Sequence, residues 1–125
     1  MSNFKVNSEK YDLENRTAEF GEKIIDLCRR LTKDIISEQI VKQLVRSSTS
    51  VGANYMEANG ASSRKDFVNK IHICKKESQE SKHWLRMLAR SADNKHKEEI
   101  RLLWDEAQQL SMIFSKICSS AKIKK

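Results

Sequence analysis

The chain has 125 residues, a length typical of one domain with one hydrophobic core. It contains no proline and only three glycines, too few turn-forming residues for a fold of many strands. The net charge of +7 favours a polyanionic partner, either nucleic acid or an acidic membrane surface. Many small soluble proteins are basic without binding either, so charge alone leaves the question open.

Apolar residues recur three and four positions apart in four segments, which predicts four amphipathic helices. We expect them at about residues 12–33, 35–58, 63–91 and 95–120, with short flexible termini. Asp12 is a candidate cap of the first helix, Gly60 a left-handed end of the second, and Ser62 or Ser63 a cap of the third. Short links between regular stripes predict an all-α fold, an antiparallel up-down-up-down four-helix bundle formed by one domain over residues 1–125.

The second and third helices have long stripes that are predicted to face the core. On the second helix the inner side is predicted to hold Ile36, Ile40, Leu44, Ser47, Val51, Tyr55 and Ala58. On the third helix the inner side is predicted to hold Phe67, Ile71, Cys74, Ser78, Ser81, Leu85 and Leu88.

The glycine-containing stretch from Ser50 to Phe67 reads SVGANYMEANGASSRKDF. A phosphate-binding loop requires G-x-x-x-x-G-K-[ST] between a strand and a helix. Here seven residues separate Gly52 from Gly60, Ala61 follows in place of lysine, and no strand is predicted. We interpret Gly52 as a point of close helix approach and Gly60 as a helix stop, which excludes a nucleotide loop.

The same stretch resembles the 23S rRNA-intervening-sequence proteins, a group of small bacterial four-helix bundles. This group includes the accessory variability-determinant proteins of diversity-generating retroelements. The matching residues are Ser50, Ala53, Asn54 and Glu57, the Gly60 stop, and the helix start at Ser63, Lys65, Asp66 and Phe67. Val51 stands where relatives often carry proline, and the resemblance extends from about Tyr11 to Phe114. It implies a four-helix bundle, commonly a homopentameric ring, with a basic surface suspected of binding nucleic acid and no agreed enzymatic activity.

Most of the excess charge lies on the third helix. Between Arg64 and Ser91 the sequence contains eight lysines and arginines but only three acids. We call seven of these residues the basic stripe: Arg64, Lys65, Lys75, Lys76, Lys82, Arg86 and Arg90. Such a stripe predicts contacts to phosphates without base specificity, or else a solvated face that keeps the protein soluble. Few aromatic residues interleave with it, so the sequence gives little support for stacking of single strands.

A second feature of this helix is the apolar sector formed by Ile73, Trp84 and Met87, predicted to lie nearly opposite the buried stripe. Trp and Met are enriched at subunit contacts, so this sector predicts a homo-oligomer interface. With the family resemblance, a ring-shaped homo-oligomer, a pentamer by analogy, is the preferred assembly. Partial exposure at the edge of a thick core is the simpler alternative.

The sequence gives weak support to the other function classes. Glu80 and His83 have di-iron spacing but lack a matching pair and lie away from the buried stripe, so we expect no metal and no cofactor. Cys28, Cys74 and Cys118 fit reduced, mostly buried small side chains rather than disulfides or nucleophiles. No signal peptide or membrane span is predicted, and the bulky apolar residues form bundle seams rather than a membrane-binding face.

The sequence therefore predicts a cytoplasmic, non-enzymatic bundle that binds RNA or DNA through the basic stripe. The alternative is a protein-interaction scaffold or an accessory subunit of a nucleic-acid enzyme such as a reverse transcriptase.

Overall fold

The computed structural model describes residues 12–123, with side chains described through residue 121. Its helices are α1 (Leu13–Arg30), α2 (Ile35–Asn59), α3 (Arg64–Ser91) and α4 (Lys97–Ile123), and a 3₁₀ turn at Asn94–His96 precedes α4. The predicted all-α four-helix bundle is confirmed. The expectation of flexible termini concerns residues 1–11 and 124–125, which lie outside the described residues.

The four helices follow one another around the core in chain order. The most extensive contacts join α2 to α3 and α3 to α4, then α1 to α2, and the contact between α1 and α4 is smaller than these three. Each helix is therefore flanked mainly by its neighbours in the chain. As a result, the face formed by α3 and α4 lies opposite the face formed by α1 and α2.

The α3 stripe predicted to face inward is buried at every position, including Cys74, Ser78 and Ser81. On α2 the prediction is wrong at Ile36, whose exposed fraction is 65%. Ser37 is buried in its place, because it lies two helical turns before Leu44 and so shares its face. The Ser37 hydroxyl also accepts the backbone N–H of Asp34 at 2.8 Å, which holds the serine at the first turn of α2.

The ends of the helices correct two predicted caps. Asp12 adopts a left-handed conformation with φ of 49°, and its side chain accepts no backbone N–H of α1. It accepts the side-chain amide of Asn15 at 3.2 Å instead. Gly60 is not left-handed, with φ of −96°, because α2 ends in tightened turns in which Gly60 N–H bonds the Glu57 carbonyl.

Other predicted features of the helix ends and packing are confirmed. The Ser63 hydroxyl caps α3 by accepting the N–H of Asp66 at 3.0 Å. Gly52 lies against α1, where a Cβ atom would stand 3.4 Å from Thr17 Oγ1, at van der Waals contact. Over residues 12–123, none of the helices has the length and apolar character needed to cross a bilayer.

Candidate nucleic-acid interface

The basic stripe follows α3 over nearly its whole length. Arg64, Lys65, Lys76, Arg86 and Arg90 are exposed, while Lys75 and Lys82 are half-buried beside α4. From Arg64 to Arg90 the helix rises about 40 Å at 1.5 Å per residue. The structure thus presents the seven predicted residues on one helix, along a path long enough to meet several phosphates.

Most side chains of the stripe are not in direct contact with a carboxylate. Within the described part of the chain, five of the seven side chains form neither an ion pair nor a hydrogen bond: Lys65, Lys75, Lys76, Arg86 and Arg90. By contrast, Lys70 of the same helix lies at the α2 side and pairs with Glu57 at 2.8 Å.

Glu77 and Glu80 of α3 lie on the edge that faces α2. Arg46 of α2 pairs with Glu77 at 3.4 Å and also binds Glu80. The Trp84 indole N–H donates to Glu80 at 2.9 Å. These two contacts, the Trp84 hydrogen bond first, lower the pKa of Glu80 below its ordinary value. Arg46 of α2 therefore holds Glu77 and Glu80. The charge of Lys76 in the basic stripe also lowers the pKa of Glu80.

The wall of α4 beside the basic stripe is polar but carries no acid. A furrow of about 480 Å³ lies between α3 and α4, and none of the described side chains that line it is a carboxylate. We call it the α3–α4 furrow, and its polar lining is Gln79, Lys82, Gln108, Ser111, Ser115, Lys116 and Ser119.

Two acids of α4 point away from this furrow. Glu106 receives two hydrogen bonds from Arg16 of α1, at 3.0 and 2.7 Å. Glu99 pairs with Arg30 of α1 at 2.5 Å, and the pKa of Glu99 is lowered by that pairing. The structure thus leaves the α3–α4 furrow lined by cations and neutral donors, while α1 holds these two α4 acids.

Trp104 of α4 lies at this face, although its position beside the basic stripe was not predicted from the sequence. The ammonium of Lys82 lies 5.0 Å from the centre of the Trp104 ring and donates to the Gln108 side chain. The spacing of residues from the link between α3 and α4 could have predicted this contact. In an antiparallel hairpin, residues at equal distance from the link meet, and Lys82 and Gln108 are nearly equidistant from the link between α3 and α4.

Trp84 of the apolar sector has a different position from the predicted one. Ile73, Trp84 and Met87 are half-buried, and Trp84 packs against the core at the α2 edge of α3. It does not lie opposite the buried stripe, because its indole shares Glu80 with Arg46 of α2. Whether a second subunit covers this sector stays a prediction.

The cysteines and Glu80 of the Glu80–His83 pair, which were the other candidates for chemistry, are buried or bound to neighbouring side chains. Burial raises the pKa of the Cys28 thiol to about 11 and that of Cys74 to about 12, so both are protonated near neutral pH. Glu80, half of the Glu80–His83 pair, is bound by Arg46 and Trp84. Among residues 12–123, no cluster of three His, Cys, Asp or Glu side chains could hold a metal ion.

These features can be set beside known proteins. The family model of the 23S rRNA-intervening sequence protein matches residues 9–116. The chain belongs to this family. One solved member of the S23 ribosomal protein family, a protein of unknown function from Bacteroides thetaiotaomicron VPI-5482, is similar with a TM-score of 0.74 and 30% identity. The match covers 87% of the chain and 96% of that protein, while no curated protein matches the sequence.

Proposed function

We propose that this protein is a non-enzymatic, cytoplasmic nucleic-acid-binding protein that contacts phosphates of RNA or DNA without base specificity. The observation that carries the proposal is the set of five basic side chains that follow about 40 Å of α3 and form no ion pair with the described residues. Lysine and arginine heads displace the counterions condensed on a nucleic acid, so the affinity falls as salt rises. No base-reading residue is assigned.

The assembly proposed with this function is a ring-shaped homo-oligomer, a pentamer by analogy with the family. The apolar sector of Ile73, Trp84 and Met87 supports it, since all three side chains keep part of their surface exposed in the single chain. A ring would repeat the basic stripe around the assembly, and several weak contacts to one ligand would act together.

The test compares two variants that lose the same charges from different surfaces. The first changes Lys75, Lys76 and Arg86 of the basic stripe to Gln. The matched control changes Lys23, Arg29 and Lys42 to Gln, which are exposed residues of α1 and α2 that also form no ion pair within residues 12–123. Dissociation constants are measured for a labelled RNA hairpin and a DNA duplex from low to high salt.

We expect the stripe variant to bind at least about tenfold more weakly at low salt, and its salt slope to fall by roughly 2 to 3. The control is expected to stay within about threefold of the wild type, since its charges are far from the proposed path. Equal losses of affinity in the two variants would mean that binding depends on the net charge of the protein and not on the basic stripe. No binding by the wild type at low salt would refute the proposal.

A protein-interaction scaffold, or an accessory subunit of a nucleic-acid enzyme such as a reverse transcriptase, is the second candidate. The observation in its favour is the exposure of large apolar side chains, with Leu102 at 54% and Met112 at 59% on α4. Exposed apolar groups are common singly, so a partner contact would need several of them together.

The assembly is tested by Trp84→Glu. A charge placed in a subunit contact separates the subunits, so we expect a smaller mass by light scattering. Helical circular dichroism and the melting temperature show whether loss of the Trp84 core contact and of its hydrogen bond to Glu80 has unfolded the single bundle. An unchanged oligomeric mass would remove the apolar sector from the interface. A wild type that is already monomeric would remove the ring.

A further inference from the structure

The Trp104 ring lies beside Lys82 of the basic stripe, next to the residues that line the α3–α4 furrow. One part of the half-buried indole packs against the core, and the ammonium of Lys82 lies over the ring at 5.0 Å. Lys82 belongs to the basic stripe, so the same side chain is a candidate phosphate contact. If Lys82 turned toward a phosphate, an aromatic face would become available beside that phosphate.

The wall of α4 next to Trp104 carries a series of neutral donors, which we call the polar row: Gln108, Ser115 and Ser119. These residues are spaced by seven and four positions, so they share one side of α4 along about 16 Å. The Gln108 side chain accepts a hydrogen bond from Lys82 and donates one to the Met112 sulfur at 3.7 Å. Its side-chain oxygen is therefore released when Lys82 moves.

Together these groups have the composition of a site for a single strand. Such sites combine a positive path for the backbone with an aromatic side chain on which a base stacks. In a duplex the bases are already stacked on each other, so a duplex meets the basic stripe but not the ring. This combination comes from two helices, because the stripe lies on α3 and the ring and the polar row on α4.

We infer that the α3–α4 furrow binds single-stranded nucleic acid, with a base stacked on Trp104 and the backbone between the basic stripe and the polar row. The Lys82 ammonium leaves the Gln108 side chain and binds a phosphate instead. The inference rests on the proposed function, since it takes the basic stripe as a phosphate-binding surface and assigns the form of nucleic acid.

The experiment uses oligo(dT) and oligo(rU), which form no stable duplex of their own, and a mixed-sequence DNA duplex of equal length. Dissociation constants are measured at one low salt concentration for the wild type, Trp104→Phe and Trp104→Leu. We expect the wild type to bind the single strands more tightly than the duplex. Trp104→Leu should weaken single-strand binding by about tenfold, leave duplex binding within about twofold, and Trp104→Phe should restore part of the loss.

A second measurement uses the fluorescence of Trp104 and therefore leaves its ring in place. The chain has two tryptophans, so Trp84→Phe leaves Trp104 as the only indole and Trp104→Phe leaves Trp84. We expect oligo(dT) to quench the fluorescence of the first protein strongly and that of the second weakly. Equal quenching of both indoles, or none, would overturn the stacking assignment even if Trp104→Leu had failed to fold.

The two proposals fail in distinguishable ways. Salt-dependent binding in which the duplex binds as tightly as the single strands, or in which Trp104→Leu weakens both equally, would overturn the single-strand assignment. It would leave the basic stripe as a phosphate-binding surface. Absence of binding to every ligand would refute both. Helical circular dichroism and the melting temperature of each variant show whether a lost affinity reflects lost structure.

Discussion

The two edges of α3 differ although they belong to one helix. On the edge that faces α2, Glu77 and Glu80 are bound by Arg46, and the hydroxyls of Ser47 and Ser81 meet at 2.9 Å in the buried interior. On the edge that faces α4, the furrow remains open and Lys75 has no ion pair among the described residues. The neighbouring helix, and not α3 alone, therefore decides which of the α3 charges are free for a partner.

The largest effect is expected from the serines of the two edges. Ser81→Leu inserts a large side chain into the buried contact between α2 and α3, so we expect a loss of about 2–3 kcal/mol in the free energy of unfolding. Ser115→Leu places the same side chain on the half-buried wall of the furrow, and a change within about 0.5 kcal/mol is expected. Urea denaturation at one protein concentration measures both. Similar losses of unfolding free energy in the two variants would mean that the two edges of α3 are equally closely packed.

A smaller effect is expected from the arginines. Arg46→Met leaves Glu77, which is 8% exposed, without its cation. Because Arg46 itself is half-exposed, we expect a loss of about 1–2 kcal/mol, less than for a fully buried pair. Arg86→Met on the other side removes a charge that neutralises no described carboxylate, and its denaturation midpoint should stay near that of the wild type. An equal shift in the two variants would contradict the division of charge between the two edges of α3.

The pH dependence of stability tests the α2 edge further. The pKa of Glu80 is lower in the folded protein than its ordinary value of 4.5, through the Trp84 hydrogen bond first and Arg46 second. The stabilisation from this carboxylate is therefore complete above about pH 4.5 and is lost as the pH falls through the lower, folded pKa. Glu80→Gln should lose less stability than the wild type between pH 6 and pH 3. Parallel pH curves for the two proteins would exclude this contribution.

The smallest effect is expected from the variant with Lys75, Lys76 and Arg86 changed to Gln. Since these side chains make no ion pair within the described residues, its denaturation midpoint should match that of the wild type or rise slightly as like-charge repulsion is relieved. A clear fall in stability would show that the basic stripe has a structural role.

Much of the architecture could be read from the sequence because the spacing of apolar residues records which side of each helix is buried. The helices, their order and the buried stripe of α3 follow from that period alone. Ile36 was misplaced because a first turn can present either of two adjacent residues, and Ser37 is favoured by its pairing with Asp34. Gly60 was misassigned because a glycine marks the end of a helix without fixing its φ.

The amino-acid sequence by itself determined the fold class, the family and the helix that carries the excess charge. Only the tertiary structure decided which charges remain unpaired, since that depends on side chains from helices distant in the chain. Arg46 comes from α2 to hold Glu77 and Glu80, Arg16 from α1 to hold Glu106, and Trp104 from α4 to lie under Lys82. Periodicity describes one helix at a time, whereas a binding surface is made where two helices meet.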